Sequence, residues 1–144
     1  MDTPFNDTGA GTDGRSPRAR DTRARVETLI DRAAALPPAV HALVWPCEAR
    51  ALLGAIEGVK RGLIRPVFVG DRDRIIAAAK DADINMSDVE IVAAESPQEA
   101  ARLAVLMAHE GRVQGLIKGN LHTAVLMREV LRPEHGLTGA RRVS

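Results

Sequence analysis

The sequence predicts an α/β domain, a three-layer sandwich built on a mostly parallel sheet, and three observations carry that expectation. Four short runs are nearly all apolar: ALVW at 42–45, PVFVG at 66–70, VEIVA at 89–93 and LIK at 116–118. Continuous rather than alternating apolar character is the pattern of strands covered on both faces, as in parallel sheets between helices. Successive runs start about 25 residues apart, the length of a βα unit. Between them, apolar residues recur at helical spacing.

The elements follow in order. Residues 1–20 are rich in Gly, Asp, Thr and Arg with almost no apolar content, the composition of a disordered tail. Arg15, Arg18, Arg20, Arg23 and Arg25 cluster around its end, a solvated basic linker or a polyanion contact. Residues 21–38 form an N-terminal helix and linker: Val26, Leu29, Ile30, Ala33 and Ala34 share a face, and Pro37-Pro38 ends the helix. Residues 39–144 form the main domain. After the strand Ala42–Trp45 comes a helix over 48–61 with Ala51, Leu52, Ala55, Ile56 and Val59 on one face, an ion pair between Glu57 and Arg61, and Gly62 at its C-terminal end. A helix over 72–80 centres on Ile75, Ile76 and Ala79 and starts with the acids of Asp71-Arg72-Asp73-Arg74. Ser96-Pro97-Gln98-Glu99 reads as a capping box, opening a helix that ends near Glu110. The last helix, 123–131, is expected to turn Leu126, Met127, Val130 and Leu131 inward, and Met86, Met107 and Met127 to fill core space.

Composition narrows the function. Lys and Arg number 20 against 19 Asp and Glu, so the chain as a whole has no basic footprint for nucleic acid. The only aromatics are Phe5, Trp45 and Phe68, too few for a base-stacking platform. No apolar run approaches the ~20 residues of a membrane helix, and no signal peptide is evident. A single cysteine, Cys47, permits no internal disulfide, which suits a reducing, cytoplasmic setting.

In parallel sheets, ligands bind beyond the carboxyl ends of the strands. The candidates there are Pro46 and Cys47, Gly70 and Asp71, Ala94 to Ser96, and Lys118 to Thr123. In the run KGNLHT, Gly119 allows a tight turn, the first amides of the next helix can donate to an anion, Lys118 adds a charge, and His122 and Thr123 add donors. The competing reading is an ordinary strand-to-helix turn capped by Thr123 or Asn120. Arg141 and Arg142 at the chain end could fork a phosphate or stand solvated. GxxxxGK[ST] is absent, and no GxGxxG follows any of the four strand runs. Cys47 has no base partner in sequence and reads as a spectator thiol. His41, His109, His122 and His135 are too dispersed for a local metal motif.

The runs GLIKGNLHT and TGARRVS, with HALVWPCEARALLGAIEGVKRGLIRPVFVGDRDRI and VEIVAAESPQEAARLAVLMAHEGRVQ before them, resemble the N-terminal part of the phosphate acetyl/butyryltransferase family. The likeness extends from about Val40 to Ser144 and is nearest to the phosphate acyltransferase domains fused behind enoyl-CoA hydratase domains. It implies acyl transfer between coenzyme A and inorganic phosphate, with no metal or cofactor beyond these substrates. The implied architecture is of the isocitrate dehydrogenase type, truncated here, with its site in a cleft, usually in a homodimer. By motif position, Lys118, Gly119, His122 and Thr123 would shape the cleft wall, and Arg141, Arg142 and Ser144 would lie near phosphate or acyl group. The group implied to handle coenzyme A lies in later segments of the family, so no catalytic residue is singled out here. The expectation is a phosphate acyltransferase incomplete in this chain, with a homodimer or a complementing chain as its partner. The alternative is an inactive anion-binding or oligomerisation module.

Overall fold

A computed structural model describes residues 17–137; Arg141, Arg142 and Ser144 lie outside the described residues. The elements are α1 (Pro17–Ala34), β1 (Ala39–Val44), α2 (Ala49–Lys60), β2 (Ile64–Gly70), α3 (Arg72–Asp81), β3 (Glu90–Ala93), α4 (Pro97–His109), β4 (Gly115–Lys118) and α5 (Thr123–Val130). α1 starts four residues inside the stretch expected to be a disordered tail. Its first turn is Pro-Arg-Ala-Arg: proline suits a helix start, while arginine and alanine are good helix formers that low hydrophobicity had masked.

The four strands form one all-parallel sheet in the order β3-β2-β1-β4. Right-handed crossovers then dictate the layers. β1→β2→β3 steps across the sheet one way, placing α2 and α3 on one face. The return from β3 to β4 reverses direction and puts α4 on the other. Consistently, α4 packs on β1, β2 and α5, whereas α2 packs on β2 and α3.

The core follows from this layering. In β1, Ala42, Leu43 and Val44 are all buried, as are Val67, Phe68 and Val69 in β2, so side chains on both pleat faces meet helices. Burying each of the larger ones contributes about 1.5–3 kcal/mol. The opposing helix faces are lined mainly by alanine: Ala55, Ala78, Ala79, Ala100, Ala101 and Ala104 are buried. Small side chains let helices approach the sheet closely, which a chain nearly lacking aromatics requires. The edge strands β3 and β4 are only four residues each and half-buried.

Two expectations need correction. Met127 and Leu131 are exposed, and Met127 fills no core space; only Leu126 and Val130 of the expected inward set are buried. α5 is a single-sided helix against α4, so its apolar stripe is wider than the face it buries. Glu57 and Arg61 do pair, at 2.9 Å, with Glu27 of α1 adding a second carboxylate at 3.5 Å.

Candidate functional site

The strand order reverses between β1 and β4: β1 leads to α2 on one face and β4 to α5 beyond. Loops leaving such neighbours diverge, and the crevice between them is where open α/β sheets bind ligands. The segments there are Trp45–Glu48 after β1 and Gly119–His122 after β4.

Three contacts lock these loops together. The amide of Gly119 donates to Val44 O at 2.8 Å and that of Asn120 to Trp45 O at 2.9 Å. The Asn120 side chain donates to the Glu48 carboxylate across the crevice. Gly119 has no room for a side chain: a Cβ there would lie 2.5 Å from Val44 O and 2.7 Å from Trp45 O. Trp45 has φ 57°, a left-handed conformation costing about 1–3 kcal/mol for such a residue. Its surroundings hold it there. The ring is buried, the amide bonds Val69 O at 2.8 Å, and the Arg74 guanidinium lies 5.5 Å from the ring centroid, a cation–π contact.

The helix N-termini separate the sheet into two halves. At α3, Asp71 accepts from the Arg74 amide at 3.0 Å. At α4, Ser96 Oγ accepts from the Glu99 amide and Glu99 reaches back to the amide of Glu95 rather than that of Ser96 itself. The helices flanking the crevice, α2 and α5, have Glu48 and His122 at their N-cap positions, and neither side chain caps. The expected caps Thr123 and Asn120 do not serve: Thr123 is the first helical residue, and Asn120 turns to Glu48. The amides of Leu121, His122, Thr123 and Ala124 have no partner among the described residues. Unsatisfied amides at the positive end of a helix dipole suit an anion.

Lys118, Gly119, His122 and Thr123 thus share one turn. Lys118 Nζ folds back to Leu121 O at 3.0 Å and Gly119 O at 3.3 Å. An ammonium carries three donors, so one is left, and its charge sits inside the turn against two carbonyls. His122 and Thr123 are exposed. Of the remaining candidates, Asp71 and Ser96 are occupied in capping, and Asp71, Asp73, Glu95 and Glu99 outnumber the single Arg72 at the β2/β3 end and make it acidic. Cys47 is buried, its thiol pushed up by burial, against the pull of Arg74; it is no ready nucleophile. Glu48 and Trp45 escaped sequence reasoning. The Glu48–Asn120 bond spans 72 residues, and nothing local signals a tryptophan of positive φ.

With the geometry in place, known proteins give it a context. No family model matches the chain. The phosphate acetyltransferase of Rickettsia typhi is 37% identical over 116 residues, 81% of this chain and 33% of the relative. The phosphate butyryltransferase of Clostridium beijerinckii is 28% identical over 118 residues, 82% of this chain and 39% of that protein. A phosphotransacetylase structure from Streptococcus pyogenes superposes with a TM-score of 0.65 at 13% identity, covering 81% of this chain and 42% of that one; at that identity the likeness concerns the fold. The chain spans about a third of the length of the curated relatives it matches. It is a relative of the phosphate acetyl/butyryltransferases, matched over that third.

Proposed function

We propose that this chain contributes one wall of a phosphate acyltransferase site, in which an acyl group moves between coenzyme A and inorganic phosphate. The 37% identity over 116 residues to a phosphate acetyltransferase carries the reading, and the uncapped turn after β4 gives it a physical basis. A phosphate oxygen attacks the thioester carbonyl, and a C–O bond forms as negative charge gathers on the carbonyl oxygen. The intermediate collapses with cleavage of the C–S bond, releasing acyl phosphate and the coenzyme A thiolate. Fixed donors aimed at that charge are what such a reaction needs. In this reading the amides of Leu121 to Ala124, with Lys118 behind them, hold the phosphate. Gly119 lets the two loops close, and His122 and Thr123 stand at the rim. Arg141, Arg142 and Ser144 join them in the role that the resemblance implies. No cofactor is assigned beyond the two substrates.

The reaction requires groups on both sides of a cleft, and the chain spans about a third of its relatives. We assign the remaining groups to the segments of the relatives that these residues do not span, with a second copy or a complementing chain as a further source, and the reaction to the cytoplasm. The test is thioester formation from acetyl or butyryl phosphate and coenzyme A, with the chain alone and mixed with a polypeptide covering the rest of a relative. Turnover lost in Lys118→Ala or Arg142→Ala supports the reading. Phosphate binding without turnover in either format favours the inactive anion-binding module. A folded chain that binds neither phosphate nor acyl phosphate overturns both.

A further inference from the structure

α1 stands apart from the sheet. It meets the domain through Glu27, 3.5 Å from Arg61 of α2, and through Ile30, the one half-buried residue of the helix's described side chains. Val26 and Leu29 are 47% and 62% exposed. In proteins, a helix such as this one of 18 residues draws most of its stability from packing of its apolar face rather than from propensity.

That face has a defined pattern. Thr22, Val26, Leu29 and Ala33 are spaced four, three and four apart and fall within a sector of about 60° at 3.6 residues per turn. With half-buried Ile30 and exposed Ala34 on its flank, this exposed stripe keeps a seven-residue rhythm, that of the seam of a helix that pairs with another helix. Membrane-surface helices present a broader face with aromatic anchors, and α1 has none. Arg18, Arg25 and Arg32 repeat every seven residues along one shoulder of the seam, whereas Asp21, Glu27 and Asp31 lie behind it. Arg25 pairs with Asp21 at 3.0 Å, but both side chains are largely exposed, and such pairs are easily exchanged. A second copy is a poor partner: antiparallel pairing sets the arginine rows against each other, and parallel pairing sets Arg18 against Arg23 of the second helix.

We propose that α1 is a docking helix for an amphipathic helix of another polypeptide whose apolar seam is flanked by carboxylates. The proposal is independent of the phosphate site.

The test titrates the full chain into two labelled three-heptad peptides with leucine seams, one flanked by glutamate and one by lysine. Vesicles of equal phosphatidylcholine and phosphatidylserine form a third arm. The expected result is binding of the glutamate peptide, weakened about tenfold by Leu29→Ser. The Arg25→Glu/Arg32→Glu variant keeps the seam and should reverse the preference to the lysine peptide, an outcome that unfolding cannot produce. Binding to neither peptide, equal binding to both, insensitivity to Leu29→Ser, binding to vesicles alone, or self-association of the unmixed chain through α1 in sedimentation would each overturn the proposal.

Discussion

The β2/β3 half of the sheet and the β1/β4 half are built from the same βα unit but finished differently. Behind β2 and β3, Asp71 and Ser96 close the helix N-termini with their own side chains. Behind β1 and β4, the residues in the same positions, Glu48 and His122, leave the amides open, and Glu48 is turned to Asn120 instead. Capping a helix is worth about 1 kcal/mol. Where a fold forgoes it twice, side by side and at the crevice where the strand order reverses, the open amides are available to a ligand. The difference teaches that satisfied and unsatisfied helix starts can separate scaffold from site within one sheet.

The strongest way to break the contrast is Gly119→Ala. A methyl group 2.5 Å from Val44 O must part the two loops, so we expect a loss of about 3 kcal/mol in urea unfolding. Gly111→Ala, at φ 74° in open space, should cost roughly 1 kcal/mol. Equal losses at the two positions would mean that the crevice does not depend on close backbone approach. Next in size is the removal of a scaffold cap. Asp71→Ala and Ser96→Ala should each cost about 1 kcal/mol without altering any phosphate-induced rise in Tm; a change in that rise would place the anion at the other half. Converting the open half to the closed style is the sharper test. His122→Asp should raise stability by about 0.5–1 kcal/mol and abolish the phosphate-induced rise, because its carboxylate would occupy the same amides. A stabilised variant that still responds to phosphate would remove α5 from the site.

The smallest effect concerns Cys47, at the rim of the open half. Burial raises its thiol, so the folded state holds the proton longer than the unfolded chain. The stabilisation is complete below the ordinary thiol range and is lost as pH rises through that range toward the raised folded value. Unfolding free energy should therefore decline slightly on the alkaline side, and Cys47→Ala should flatten that slope. Alkylation of the native thiol should lag that of the urea-unfolded chain, and comparable rates would show the thiol to be accessible.

Much of this molecule was readable in the chain. PVFVG and LIK lie within β2 and β4, and Ser96-Pro97 marks the start of α4 to the residue, because burial on both faces and capping leave local signatures. KGNLHT was legible as a turn at a strand end for the same reason. Other features depend on residues far apart. The strand order, the Glu48–Asn120 lock and the backbone twist at Trp45 exist only once β1 and β4 lie side by side. The inward turn of Lys118 is a choice of rotamer made by two nearby carbonyls, and residue spacing carries no trace of it. Met127 misled because periodicity reveals that a helix has an apolar face, not how much of it finds cover.

The central place of β1 has a consequence in time. Among the described strands it leaves the ribosome first, and one of its two neighbours leaves last: the amide of Val40 bonds the side chain of Gln114, 74 residues later. At the pace of synthesis, roughly 5–20 residues per second, β1 waits on the order of 4–15 s with an apolar edge unpaired. During that interval the nascent chain is sticky along the seam where its crevice will form. Expression slowed by cold or by rare codons in the α4 region should lengthen the exposure and lower the soluble yield.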